Sequence, residues 1–313
     1  MNQSSSNGTL RIATRKSQLA LWQAEHVAAL LRGAHAGLEV ELVPIVTQGD
    51  RILDRSLAAI GGKGLFIKEL EVALEEGRAD IAVHSMKDLP GEVPEGLTIA
   101  AVLERADARD ALLTVKSAAF ADLPRGARVG TSSLRRQAQL LAARPDLHIE
   151  PLRGNVDTRL RKLDAGEMDA IVLACAGLIR LGWEARISAR LDTRISLPAV
   201  AQGVIGIECR RDDSRTHALV TGLDHAATRR AMDAERAFAQ RLGGSCQSPI
   251  AAHAVLEGGR LTLDGLVAEP DGSQLWRESM SGSGDDPVAL GGRLADKILA
   301  AGAGALLDRL RTG

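Results

Sequence analysis

The chain has 313 residues, 45% hydrophobic and 25% charged, the balance of a folded globular protein with room for more than one domain. Lys+Arg number 39 against 40 Asp+Glu, aromatic residues are 2% and tyrosine is absent, so neither a cationic field nor a base-stacking platform points to nucleic acid. No apolar run approaches the ~18 residues of a bilayer span, and residues 1–9 lack the basic and apolar regions of a signal peptide, so no membrane role is expected.

Residues 10–14 read as a strand that runs into Arg15-Lys16-Ser17. Ser17 is placed to cap an apolar-periodic helix over 19–31, and its free N–H groups beside Arg11 and Arg15 suit an anion; an ordinary capped surface helix explains the same residues. After a second strand over 38–46, Gly61-Gly-Lys63-Gly64 lacks Walker A spacing and reads as a lysine-bearing loop opening a helix over 66–76. A strand over 80–84 then ends in Ser85-Met86-Lys87-Asp88-Leu89-Pro90. Open α/β sheets collect ligand groups beyond such carboxyl ends. Lys87 with Asp88 offers a cation and a general acid or base there, or else a plain surface turn. A strand over 97–103 follows, and 104–110 reads as a polar crossover.

A second α/β unit begins with a strand over 127–131, ending in Thr131-Ser132-Ser133 at the start of a helix that carries Arg135 and Arg136. A strand over 148–152 ends at Arg153-Gly154-Asn155 before a helix with Arg159, Arg161 and Lys162. Between 125 and 162, eight arginines and one lysine face only Asp146, Glu150 and Asp157. Guanidinium groups at strand ends and helix starts point to a polyanionic ligand rather than a solvated face. A further strand over 171–174 precedes a short helix with Arg180, and Gln202-Gly203 leads into a strand over 204–208 assigned to the first lobe.

A helix over 228–242 delivers the loop Gly243-Gly244-Ser245-Cys246. Cys175 and Cys209 close apolar runs and read as small buried hydrophobes, which leaves Cys246 as the one loop thiol. Three cysteines without a C-x-x-C pair give neither a disulfide framework nor a metal site, and fit a reducing cytoplasm. Strands over 250–256, 260–268 and 274–281, separated by Gly258-Gly259 and Asp271-Gly272, predict an antiparallel meander. Asp286-Pro287 opens a last helix through 300, which would cover it.

Taken together, these motifs resemble the porphobilinogen deaminase (hydroxymethylbilane synthase) family. The resemblance is carried by Arg11-Ile-Ala-Thr-Arg15 with Ser17, Leu19-Ala-Leu-Trp-Gln23, Gly62-Lys-Gly-Leu-Phe66 and His84-Ser-Met-Lys-Asp-Leu-Pro90. It continues through Gly130-Thr-Ser-Ser-Leu-Arg-Arg136, Leu152-Arg-Gly-Asn155, Pro198-Ala-Val-Ala-Gln-Gly203 and Gly243-Gly-Ser-Cys246, in family order along nearly the whole chain. It implies two α/β lobes like type II periplasmic binding proteins, here 1–103 with 200–222 and 104–199. A small α/β domain with a three-stranded antiparallel sheet would follow over 223–313. It implies a cytoplasmic transferase of tetrapyrrole (porphyrin, haem) biosynthesis that condenses four porphobilinogen units head to tail with release of ammonia, then hydrolyses the product to hydroxymethylbilane.

The resemblance also implies a dipyrromethane cofactor held by a thioether, by position on Cys246, and a catalytic carboxylate at Asp88. The binding set it implies is Arg11, Arg15, Ser17, Lys63, Lys87, Thr131, Ser132, Ser133, Arg135, Arg136, Arg153, Arg159, Arg180 and Gln202. Each pyrrole unit carries an acetate and a propionate, for which arginines are suited receptors. Asp88 beside a pyrrole N–H would stabilise the positive charge left by deamination. The α/β pattern and arginine patch alone would also allow a non-catalytic two-lobed binding protein for an anionic small molecule, which would need no thiol at Cys246. No exposed apolar helix asks for a partner, so a monomer is expected.

Overall fold

The computed structural model describes residues 8–51, 67–116, 119–244 and 248–312. In chain order the main elements are β1 (Leu10–Arg15), α1 (Gln18–Ala34), β2 (Val40–Ile45), α2 (Lys68–Glu75), β3 (Ile81–Ser85) and β4 (Leu97–Val102). Next come β5 (Asp110–Thr114), β6 (Arg128–Gly130), α3 (Leu134–Ala143), β7 (His148–Glu150), α4 (Val156–Asp164), β8 (Ala170–Ala174), α5 (Cys175–Arg180) and β9 (Ala189–Arg190). The chain finishes with β10 (Ile205–Arg210), α6 (Ser214–Val220), α7 (Ala226–Arg241), β11 (Ile250–Glu257), β12 (Arg260–Ala268), β13 (Leu275–Ser283), α8 (Pro287–Ile298) and α9 (Gly304–Thr312). The fold is α/β, and it divides into two compact units, Met1–Glu104 with Ile205–His225 and Arg105–Val204 with Ala226–Gly313.

In the first unit a five-stranded sheet has the order β2-β1-β3-β10-β4. β1 runs parallel to β2 and β3, whereas β10 is antiparallel to both β3 and β4. Successive strand residues face opposite sides of a sheet. Accordingly Ile12, Ile81 and Val83 pack with Val27 and Leu31 of α1, while Ala13 and Ala82 pack with Leu70 and Leu74 of α2. Burial on both faces explains why these strands read as unbroken apolar runs. Ser17 caps α1, its Oγ accepting from the Ala20 N–H at 3.3 Å. The carboxyl ends of β1 and β3 lie at one edge of the sheet, where β3 passes into a one-turn helix, Met86–Asp88.

The second unit holds a sheet of order β7-β6-β8-β5-β9, with β6 parallel to β7 and β8 and β5 antiparallel to β8 and β9. Two sequence readings need correction. Residue 110 does not end a polar crossover but begins β5, whose Ala111, Leu112 and Leu113 are buried; the charged run before it masks a five-residue strand. Cys175 opens α5 rather than closing β8. It is nonetheless buried, as is Cys209, and burial pushes their thiols up to about 12 and about 11.

β11, β12 and β13 form the expected antiparallel sheet, with Glu257 opposite Arg260 around the first turn. Phe238 of α7, Leu294 of α8 and Leu306 of α9 pack on Leu261 and Leu263 to make its core. α8 stops at Ile298, short of the expected 300, and the chain turns at Gly302 (φ 109) into α9. Glu235 of α7, fully buried, accepts from Arg105 Nη1 at 2.5 Å and from the N–H groups of Ala201 and Ala254 at 2.6 and 2.7 Å. This one carboxylate ties the segments 105, 201 and 254 to the helix that precedes residue 246.

Candidate functional site

At the carboxyl edge of the first sheet, Arg15, Ser17, Gln23, His84, Ser85 and Asp88 line one cavity. Parallel β1 and β3 end side by side, which is why residues 15 and 85 meet although 70 positions separate them in the sequence. Asp88 is exposed at the end of its one-turn helix and Lys87 is half-buried beside it. Gln23 is 2% exposed and donates from Nε2 to Ser85 Oγ at 2.8 Å. It escaped the sequence reading of the site, yet a glutamine on the inward stripe Ala20-Gln23-Val27 of α1 is a polar side chain at an apolar position, and that was the available signal.

Arg11 stands apart from this group. It lies near the amino end of β1, four residues and ~13 Å of strand from Arg15. Its guanidinium holds Asp80 at 2.9 and 3.2 Å, and its backbone N–H donates to the same carboxylate at 2.8 Å. The hydrogen bond to Asp80 raises the Arg11 pKa above its ordinary value. β1 thus delivers Arg15 to the cavity at its carboxyl end, where the one-turn helix after β3 also brings Asp88, and it pairs Arg11 with Asp80 near its amino end.

In the second unit the hydroxyls of Thr131, Ser132 and Ser133 sit between β6 and α3. Ser133 caps α3, accepting from the Arg136 N–H, and Thr131 Oγ1 accepts from the Ser133 N–H at 3.2 Å. Ser132 Oγ donates to the Leu152 carbonyl at 2.9 Å and accepts from its N–H at 3.0 Å, which joins this loop to the one bearing Arg153. Arg159 donates from Nε to the Gly154 carbonyl at 2.8 Å. Arg180, closing α5, donates to the Gly203 carbonyl at 2.7 Å, and burial pulls its pKa down to about 10.

Arg135, Arg136 and Gln202 converge on a carboxylate of the chain itself. Asp110, fully buried, accepts from Arg135 Nη1 at 2.8 Å and Nη2 at 3.2 Å, from Arg136 Nη2 at 2.7 Å, from Ser196 Oγ at 2.7 Å and from Gln202 Nε2 at 2.9 Å. Burial pushes the Asp110 carboxyl up, but the two guanidinium groups together hold it well below the usual carboxylate range. Two buried guanidinium charges meet one carboxylate, so one positive charge is left over. Arg136 Nε, also buried, has no hydrogen-bond partner among the described residues. A buried donor in that condition is costly.

Several other arginines of the 125–162 patch have partners too. Arg128 pairs with Asp169, Arg144 with Asp146 and Arg161 with Asp157. Lys63 and Cys246, together with the motifs Gly62–Phe66 and Ser245–Cys246, lie outside the described residues. Among the described residues no cluster of His, Cys, Asp and Glu could hold a metal ion, and no helix is long and apolar enough to cross a membrane. The groups gathered at these strand ends are guanidinium, hydroxyl and backbone N–H donors, with an exposed carboxylate, Asp88, after β3.

Comparison with known proteins adds the following. Residues 10–218 match the family model described as porphobilinogen deaminase, dipyromethane cofactor binding domain, and residues 230–300 match porphobilinogen deaminase, C-terminal domain. The chain is 59% identical over 302 residues to a porphobilinogen deaminase of Xanthomonas axonopodis pv. citri, covering 96% of this chain and 99% of that one. It has the same identity and coverage with a porphobilinogen deaminase of Xanthomonas euvesicatoria pv. vesicatoria. Among solved structures it is similar to the methionine-binding protein MetQ, with 16% identity, a TM-score of 0.45, and coverage of 69% of this chain and 90% of that one.

Proposed function

The chain belongs to the porphobilinogen deaminase family, and from that premise we propose how its own residues carry the chemistry. It is a transferase of tetrapyrrole biosynthesis: four porphobilinogen units are joined head to tail with loss of ammonia, and the product is hydrolysed to hydroxymethylbilane. Its cofactor is dipyrromethane. A non-catalytic binding protein is not favoured by this membership.

The observation that carries the assignment of roles is the surplus charge around Asp110, with Arg136 Nε left unpartnered. The acetate and propionate groups of pyrrole units are the carboxylates that such donors fit, so the residues present suit the dipyrromethane. Arg136, Thr131, Ser132, Ser133, Arg153, Arg159 and Arg180 would hold its acidic side chains, with Arg15, Ser17, Lys63 and Lys87 completing the set for cofactor and substrate. When bound, the dipyrromethane supplies the pyrrole carbon to which the first substrate unit is joined. Arg135 and Gln202 serve chiefly to hold Asp110, so that Arg136 stays oriented; Arg11 serves the Asp80 pair.

Asp88 acts on the substrate. As ammonia leaves, positive charge spreads over the pyrrole ring and its nitrogen, and a carboxylate close to that N–H lowers the energy of the charge. The same carboxylate can accept a proton when the new bond is complete. This reading is supported by its place beyond β3, where it lines the same cavity as Arg15 and Ser17. Cys246, matched by position to the family's loop cysteine, is the attachment point in this reading: its thiolate is the nucleophile, and the thioether it forms persists through turnover. The protein works as a cytoplasmic monomer without nucleic acid or membrane partners.

Intact-mass measurement of protein purified from cells that make porphobilinogen tests this reading. The expected mass exceeds that of the bare chain by two pyrrole units, and Cys246→Ala returns it to the bare chain. Retained excess mass in Cys246→Ala moves the attachment point elsewhere. Asp88→Asn should retain the excess mass but turn over at least ~10²-fold more slowly; near-parental turnover removes Asp88 from the chemistry.

A further inference from the structure

The carboxyl end of β3 is held from both faces of the sheet. Ser85 is bound by Gln23 of α1 on one face, through Nε2 to Oγ at 2.8 Å. His84 belongs to the other face, the side of Ala82 and of α2. There its Nε2 lies 2.8 Å from Oε2 of Glu208 on β10. In the antiparallel ladder Gly206 is opposite His84 and Glu208 opposite Ala82, so Glu208 and His84 are diagonal neighbours on one face. Gly206 also leaves room for the next residue of the chain: a Cβ there would fall 2.1 Å from Met86 Sδ. Met86 is the first residue of the one-turn helix that ends in Asp88.

The His84–Glu208 contact is an expensive way to hold two strands together. The side chains are 5% and 0% exposed, and Glu208 Oε1 has no partner among the described residues. Apolar residues of similar volume would pack the same space at equal or lower cost. What the polar pair adds is direction: a hydrogen bond of fixed length that sets His84, and with it the strand end, against β10. His84 also lines the cavity that contains Asp88.

We propose that the His84–Glu208 pair is a positioning device for Asp88, fixing the end of β3 while Met86, seated over Gly206, fixes the turn that follows. The inference rests on the role given to Asp88 above. The pair touches no reacting atom in this scheme; it acts through the placement of the carboxylate.

The test uses cofactor-loaded enzyme carrying Glu208→Ala or Glu208→Gln, with steady-state kinetics and backbone hydrogen exchange at residues 86–89. A displacement of the Asp88 carboxylate by ~1 Å costs up to ~10²-fold. Glu208→Ala should therefore lower kcat by about ten- to a hundredfold with little change in KM, and speed exchange in the turn. Glu208→Gln keeps a hydrogen-bonding group of the same length and should recover most of kcat and the slow exchange. Equal kcat losses in the two variants, in step with their melting temperatures, would mean that the pair only stabilises the fold and would overturn the proposal. So would parental kcat in Glu208→Ala.

Should Glu208→Ala fail to fold, Gly206→Ala perturbs the same turn through Met86. It should reduce kcat with KM near the parental value, and parental kcat there also overturns the proposal. Asp88→Asn separates the two levels. If that variant is active, the role of Asp88 itself is wrong. If it is inactive while Glu208→Ala and Gly206→Ala keep parental kcat, the positioning pair alone is refuted.

Discussion

Asp110→Asn is the sharpest test of how the buried arginine pair is held. The native carboxylate accepts five hydrogen bonds, three at Oδ1 from Arg135, Arg136 and Gln202, and two at Oδ2 from Arg135 and Ser196. An asparagine keeps one oxygen, best used at the Oδ1 position. Its NH2 group then faces Arg135 Nη1 and Ser196 Oγ; the hydroxyl can turn to accept, but the guanidinium cannot. The larger loss is charge, because Arg135 and Arg136 are 4% and 6% exposed and would be left as two like charges without a counter-ion. Breaking a buried pair in this way costs about 3–5 kcal/mol.

Urea unfolding followed by far-UV circular dichroism should show that loss as a lower midpoint with an unchanged slope. The acid side gives an independent sign. A carboxyl whose folded pKa is depressed contributes its full stabilisation above its unfolded pKa, and loses it as pH falls toward the folded value. Parent and variant should therefore differ by a constant amount near neutrality, and converge only below about pH 4. A variant within about 1 kcal/mol of the parent at pH 7, or a difference that already shrinks between pH 7 and 5, would refute the assignment of Asp110 as the counter-ion of this cluster.

Two further substitutions separate structural from ligand-binding residues. Arg11→Gln breaks a partly exposed pair with Asp80, so it should cost up to about 1 kcal/mol and leave kcat/KM unchanged; a tenfold fall in kcat/KM would return Arg11 to the substrate carboxylates. Gly203→Ala should lower the melting temperature, because residue 203 has φ +90 and a Cβ would sit 2.6 Å from the Ala106 carbonyl oxygen. The left-handed backbone alone costs about 1–2 kcal/mol, and parental stability would show that this segment yields easily.

Strands buried on both faces were legible as apolar runs, and the turn dipeptides Gly258-Gly259 and Asp271-Gly272 between alternating segments announced the antiparallel meander. β5 was not, because its first residue is an aspartate preceded by Arg109, Asp107 and Arg105. Only the fold shows that Asp110 faces inward, toward guanidinium groups 25 and 26 residues away. Sequence patterning equates charge with exposure, and it fails where a buried charge is paid for by a distant partner. Gln23 shows the milder form of the same limit: its position on the inner stripe of α1 was readable, but its hydrogen bond to Ser85, 62 residues on, was not.

The arginine census over 125–162 pointed to the right ligand class for a reason that was only partly right. Counting acids within that window misses Asp110 and Asp169, which lie outside it and take up Arg135, Arg136 and Arg128. The patch is thus less cationic in space than in sequence. Compensation is nevertheless incomplete where it matters: one carboxylate serves two guanidinium groups at the start of α3, and a buried Arg136 N–H stays without an acceptor. A fully neutralised cluster would have no further use for an anion, and a fully exposed one would bind it weakly through water. Partial neutralisation in a buried place fixes the arginines by an internal ligand and leaves one charge uncompensated, and in the proposed assignment that charge is answered by a carboxylate of the growing pyrrole chain.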